Sequence, residues 1–435
     1  MTITVIKYQE FDATSSNSMY IVPELLEEIF LGLPLKSILK FKTVSKQWRS
    51  VLESNMFVEK RMNASKSGKI IAAYNCDCGG RPRIIHEARL GDQVFVYLHC
   101  FNARPSMICD SRPLLTCDGL VCIAEPDSII VLNPSTGQLL RFPEPLSSRF
   151  INGEGSDFYR GNWVMGFGRD KVTGSYKVTK MCLLPREEGC DVLDVETGQW
   201  KNLSLPTYMA QVGRKSVSVN GSIYWLSTGS YLVTSVHGIL ALDLHKEEFH
   251  YVSVPDKWVK QSTLIANLDD RLTIANTPTS VYSDWILEIC SMNAHEEIWS
   301  KTYSISLDGL LAFKLPRSRW CMWFTPLAVS KEGDLIFYNN YQWLFKYCPE
   351  TREFHCLSSD ICVISPYLEN LVPLRSESGH HPDPNDNNVR TSSCGFFTKH
   401  PEPGSEIFKF FKRIGFGIPE IVLTTLVIVH IWKLL

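Results

Sequence analysis

The thiols and imidazoles of this 435-residue chain are the groups best suited to metal binding or proton transfer, so their spacing is the first thing to read. The chain has 14 cysteines and 11 histidines. The densest grouping is Cys76-Asp77-Cys78, followed by His86, His99 and Cys100. A zinc ion needs four well-placed ligands, usually in paired CxxC or HxxxH spacing that brings two donors to one side of the metal. No CxxC pair occurs, so the thiols read as small buried side chains on strands and no metal is expected. His237, His245 and His250 are close in sequence, but strand alternation sends them to different faces. Gly166-Phe167-Gly168 is a fragment of a phosphate-binding glycine motif without its third glycine, and reads as a turn between strands. There is no GxSxG, HExxH or P-loop. No catalytic residue and no cofactor follow from this scan. A site assembled from several blades around an axial channel is the one enzyme reading that a linear scan leaves open.

The elements that must carry these residues fall into three parts. The bulk numbers suit two or three folded domains: 44% apolar and 21% charged residues can build a large core. The 44 basic and 46 acidic residues nearly cancel, which argues against a dedicated nucleic-acid binder. Met1 to Tyr20 lacks the charged start and apolar run of a secretory signal, so cytoplasm or nucleus is the expected compartment.

Residues 19–64 read as helical. Leu26, Ile29, Phe30 and Leu33 recur at i, i+3, i+4 and i+7, and Pro34 ends that stripe. Leu35, Ile38, Leu39 and Phe41 form a second run. Val44, Trp48, Val51 and Leu52 form a third, capped by Thr43 or Ser45, and Ser54–Met62 adds a further helix. So few residues make a marginal core alone, and such a module is expected either to share its apolar surface with a partner or to cap the next domain. The basic string Lys36, Lys40, Lys42, Lys46 and Arg49 is a solvated face, or one that steers an acidic partner.

Residues 68–374 read as β. Five segments share a layout of strand, turn and aromatic or apolar strand: VLNPSTGQLLRFP, VLDVETGQWKNLSLP, ALDLHKEEFHYVSVP, ICSMNAHEEIWSKTYSI and KYCPETREFHCLS. Their equivalent positions are Leu139, Trp200, Phe249, Trp299 and Phe354, spaced by 61, 49, 50 and 55 residues. A period near 50 is that of kelch-like propeller blades, each a four-stranded sheet that must stack on its neighbours. Residues 70–125 are expected to complete a sixth unit or to supply the strand that closes the ring. The expected fold is therefore α+β and multidomain: a small all-α module, then an all-β propeller of five to six blades, with a β-sandwich as the alternative. Gly119, Gly137, Gly168, Gly198 and Gly221 read as turn positions.

The block PELLEEIFLGLPLKSILKFKTVSKQWRSVLESNMF resembles an F-box. CDGLVCI, LNPSTGQLLRFP, GFGRDKVTGSYKVTKM, VNGSIYWL, ILALDLHKEEF and the closing PYLENLVPL resemble the F-box-associated domain of plant F-box proteins. The chain departs from the F-box pattern at its start, where Ile21-Val22 stands in place of Leu-Pro and the proline is shifted to Pro23. The resemblance implies a Skp-type adaptor and a cullin scaffold as partners, with Pro23, Leu26, Ile29, Leu33, Pro34, Leu39, Val44 and Trp48 as adaptor-contact candidates. Trp48 is equally readable as core. It also implies an unidentified target protein held by the propeller, with 147–162 and 255–261 as candidate contact loops. An interaction scaffold outside any ligase is the rival reading.

The composition of 375–413 is that of a flexible linker, and 414–435 is a hydrophobic tail. The stretch Ile418–Leu435 is interrupted by Glu420, His430 and Lys433, which leaves a membrane anchor and a helix packed on the propeller both open.

Overall fold

The computed structural model describes residues 22–64 and, between 69 and 374, the strands with their tighter connections: 69–75, 83–90, 93–101, 115–124, 128–143, 163–183, 189–206, 208–212, 214–228, 236–255, 258, 262–277, 284–293, 297–313, 315, 322–341, 343–358 and 362–374. Cys76, Cys78, the loop 147–162, most of 255–261, and the linker and tail from 375 onward lie outside the described residues.

Four helices come first: α1 (Pro23–Leu31), α2 (Leu35–Phe41), α3 (Lys46–Leu52) and α4 (Asn55–Ala64). Their boundaries follow local chemistry. Pro23 opens α1, where its missing N–H costs nothing. Pro34 precedes α2, and Ser45 caps α3 by accepting a hydrogen bond from the Trp48 amide at 3.1 Å. Ser54 does the same for α4 through Phe57. Leu26, Phe30, Ile38, Leu52, Phe57, Val58 and Met62 pack into one core. Phe30 is its hub, with Trp48 at 5.3 Å and Phe57 at 6.4 Å between ring centroids.

The strands β1 (Lys69–Asn75), β2 (Arg83–Leu90) and β3 (Gln93–Phe101) follow. Then come five antiparallel blades. Blade 1 is β4 (Leu115–Cys117), β5 (Leu120–Ala124), β6 (Ser128–Asn133) and β7 (Gln138–Pro143). Blade 2 is β8 (Trp163–Arg169), β9 (Tyr176–Cys182), β10 (Gly189–Asp194) and β11 (Trp200–Leu203). Blade 3 is β12 (Met209–Ala210), β13 (Val217–Val219), β14 (Ser222–Thr228), β15 (Val236–Asp243) and β16 (Glu248–Val252), with β12 and β13 both on the inner edge. Blade 4 is β17 (Leu264–Leu268), β18 (Arg271–Asn276), β19 (Ile286–Asn293) and β20 (Ile298–Ser306). Blade 5 is β21 (Phe324–Val329), β22 (Leu335–Asn339), β23 (Leu344–Cys348) and β24 (Glu353–Ser358). The last strand, β25 (Cys362–Pro366), pairs antiparallel with β1 to give a sixth sheet of order β2-β3-β1-β25. Its inner strand β25 touches β21 of blade 5 and β4 of blade 1, so this composite sheet closes the ring.

Residues 70–125 thus divide between two structures. The stretch up to Phe101 goes to the closing sheet, and Leu115–Ala124 starts blade 1. All five repeated segments turn out to be the hairpin of a blade's last two strands, with Leu139, Trp200, Phe249, Trp299 and Phe354 on the outermost strand. Apolar cores lie between successive blades, as stacking requires. Trp200, Trp225 and Trp299 each donate an indole N–H to the preceding blade, at Pro143, Met165 and Ser253 respectively.

The hairpin turns share a mechanism. Asn133, Asp194 and Asp243 each accept backbone N–H groups of the following turn on a side-chain oxygen. Four residues on, the chain takes a left-handed conformation, filled by Gly137 and Gly198 in two blades and by Glu247 in a third. Gly168 departs from its reading as a turn residue, and so does Gly166. Both sit within β8, where a Cβ would run into Ile223 and, at 166, Trp225 or, at 168, Leu244 of blade 3. They are small so that the next blade can approach, and the Gly166-Phe167-Gly168 stretch is strand.

Candidate interaction sites

The helices are joined to the propeller by the segment Tyr367–Leu374, which runs on from β25. Leu371 is fully buried in the helical core. Asn370, also fully buried, donates to the Asp118 carbonyl at 2.7 Å and to the Tyr176 hydroxyl at 2.8 Å, while its Oδ1 accepts from the Val372 amide. Asn133 of β6 donates to the Asn370 and Val372 carbonyls. Gly119 has φ +80°, and any Cβ there would strike the Leu368 carbonyl. Arg61 of α4 donates to the Leu31 carbonyl at 2.7 Å and pairs with Glu369. Glu59 of α4 pairs with Arg169 at 2.6 Å, and Arg169 lies 3.8 Å from Asp118. Burial raises the Asp118 carboxyl above its ordinary value, against the pull of Arg169 and Lys171. Burial likewise pushes the Tyr176 phenol well above 10.

The adaptor-contact candidates separate into two groups. Pro23, Pro34, Ile29 and Val44 are exposed, the last two at 46% and 58%. Leu33, Leu39 and Trp48 are half-buried and pack against the core. Leu26, expected at the contact face, is instead 2% exposed and belongs to the interior. One helical stripe holds both kinds of residue: Leu26 and Phe30 point inward while Ile29, between them, points out. The sequence pattern also missed Val22, Leu25 and Met56, which are exposed large apolar side chains of the same module. Of the ten such side chains among the described residues, five lie between Val22 and Met56. The signal was present as apolar residues off the main stripe.

Elsewhere the chemistry-bearing residues fall on several strands and turns. His86 lies on β2, and His99 and Cys100 lie on β3. His237 is on β15, His250 is on β16, and His245 sits in the turn between them, 3.3 Å from Asp170. Cys117, Cys122, Cys182, Cys190 and Cys290 are buried. Burial raises Cys190 to about 12, which leaves it a thiol and a weak nucleophile. Among the described residues no three His, Cys, Asp or Glu side chains are placed to hold a metal, and no helix is long and apolar enough to cross a membrane.

The inner strands surround an axial cavity of about 400 Å³. Turn touches turn around one end: Asp118 with Arg169, Lys171 with Asn220 at 2.9 Å, and Asn220 with Asp270 at 3.2 Å. The helices lie at this end, through Glu59 and Arg169. At the starts of β13 and β21 the cavity is lined by Arg214, Lys215, Trp323 and Asn340.

Comparison with known proteins defines the class. Residues 21–60 match the model of the F-box domain, and 97–351 match that of the F-box associated beta propeller domain. An F-box/LRR-repeat protein of Arabidopsis thaliana is 52% identical over 95% of this chain and 96% of its own length. An F-box/kelch-repeat protein of the same plant is 49% identical over 97% of this chain and 98% of its own. The chain belongs to the plant F-box proteins that carry an F-box-associated β-propeller.

Proposed function

We propose that this protein is a substrate receptor of a cullin-type ubiquitin ligase. The helical module seats on a Skp-type adaptor, the adaptor joins it to the cullin, and the propeller holds a target protein for modification. The receptor itself transfers nothing; it works by proximity. The observation that carries this reading is the concentration of exposed apolar side chains on a module that matches the F-box. Burying an exposed isoleucine or valine against a partner contributes about 1.5–3 kcal/mol. Pro23, Ile29, Pro34 and Val44 are the surface contacts in this reading, and Leu33, Leu39 and Trp48 support them from beneath. Leu26 serves the fold.

The test is co-purification of the full chain with a Skp-type adaptor and its cullin, beside an Ile29→Asp/Val44→Asp variant. Both positions are exposed, so the variant is expected to keep the parent melting temperature. Adaptor recovered with the parent and reduced at least about tenfold with the variant supports the receptor role. No adaptor with the folded parent removes the ligase reading and leaves a propeller scaffold capped by helices.

A further inference from the structure

The two ends of the axial cavity differ in charge. Its acidic lining residues, Asp118, Asp269 and Asp270, all belong to turns at the helix-bearing end, where Arg169 and Lys171 also line it. The other mouth carries two cations, Arg214 and Lys215, and no acid among the described lining residues. Arg214, leading into blade 3, reaches past blade 4 to lie 4.9 Å from the ring centroid of Trp323, which leads into blade 5. That contact draws the cation across the mouth and sets an aromatic face beside it. Lys215 is half-buried and makes no ion pair among the described residues. A half-buried ammonium without a counter-charge favours an incoming anion. Asn340, also at this mouth, holds Trp323 in place, its Oδ1 accepting from the Trp323 amide at 3.0 Å. The six residues of β21 span about 20 Å, so this mouth stands roughly that far from the helices.

We propose that this mouth is the target-recognition site and that it takes an acidic segment of the target protein, a carboxylate side chain entering between Lys215 and the Arg214 guanidinium that Trp323 holds in place. The proposal rests on the receptor reading and adds to it the face and the chemistry of the target. An occupant of this mouth leaves the helical module clear for the adaptor. The cavity volume is within the usual range for ligand sites and admits a side chain.

The experiment measures binding of a short fluorescent peptide of alternating glycine and glutamate to the full-length protein by anisotropy. A peptide of alternating glycine and glutamine is the neutral control, and oligothymidylate is the nucleic-acid control. The expected result is binding of the glutamate peptide that weakens with salt and falls at least about tenfold in Arg214→Glu/Lys215→Glu. Lys246→Glu, an exposed charge reversal in a hairpin turn outside the lining, is expected to leave it unchanged. Equal binding of the glutamine peptide, indifference to the Arg214/Lys215 variant, or tighter binding of oligothymidylate overturns the proposal. Adaptor co-purification is scored on the same variants. Its loss in all of them strikes at the receptor reading, whereas its retention with an indifferent mouth strikes only at this site.

Discussion

The helices and the propeller bury their apolar surface in different ways. In the propeller, blades 2, 3 and 4 are covered on both faces by their neighbours, and the four cores described between blades draw on no residue before Leu115. The ring is closed by β25 against β1, so the first and last strands tie the circle. The helical module has one small core and borrows Leu371, which follows the last strand, to complete it. It still leaves Val22, Leu25, Ile29, Val44 and Met56 in solvent. A closed ring satisfies itself, whereas a four-helix module of this size satisfies itself only in part. The part left over is where a partner is gained. The difference between the two regions thus separates residues kept for the fold from residues kept for binding.

The strongest challenge to this contrast is Phe30→Ala. Phe30 is 1% exposed and touches Phe41, Trp48 and Phe57. Its truncation should cost about 3–5 kcal/mol, near the whole stability of so small a module. Helical circular dichroism is expected to be lost at lower urea than in the parent, while the β signal persists. A single joint transition for helix and sheet would show that the module has no separate stability and that the contrast is one of degree.

A smaller loss is expected from Asn370→Ala, which acts on the joint between the regions. The substitution strands the Asp118 carbonyl and the Val372 amide in a buried place. An unsatisfied buried group costs about 1–3 kcal/mol. Hydrogen exchange at the Val372 amide should accelerate while amides of the blade-4 strands stay protected. Unchanged exchange at Val372 would mean that Leu371 alone holds the segment.

The sequence revealed what is local. The hairpin of the outer two strands is set by a turn a few residues long, so its five copies were readable from a turn with acidic or turn-forming residues and a following aromatic or apolar strand. The ring closure was not, because β25 and β1 are separated by all five blades and neither carries a mark of its partner. Gly166 and Gly168 were misread for a related reason. A glycine that frees the backbone and a glycine that makes room for a neighbour look the same in one dimension, and only Trp225, Ile223 and Leu244 packing on them tell the two apart. Leu26 was misplaced because helical spacing identifies a stripe without saying which residues of it are covered. Arg214 and Lys215 had no motif at all. They become a site only because two blade entrances meet across an axis.

The smallest expected effect concerns the polar edges, where the two regions differ again. The propeller pairs strand charges both within a blade, Lys301 with Glu288 at 2.7 Å and Lys346 with Asp334 at 2.6 Å, and between blades, Lys177 with Glu247 at 2.9 Å. The hydrogen bond from Lys346 is the main reason the Asp334 carboxyl lies below its ordinary 3.8, with burial opposing it. A carboxyl whose folded value is depressed stabilises the protein fully above its unfolded value and loses that contribution as the pH falls through the folded one. Asp334→Asn should therefore lower stability modestly at neutral pH, by less than about 1 kcal/mol for a pair this near the surface. The gap between the melting curves of variant and parent should begin to narrow only below about pH 4 and close once the pH is under the depressed folded value, where the parent's carboxyl is protonated as well. A gap that stays constant into acid would trace the loss to packing around Asp334 and not to its charge. It would also remove the self-paired edge as a property distinguishing the propeller from the module whose open face is apolar.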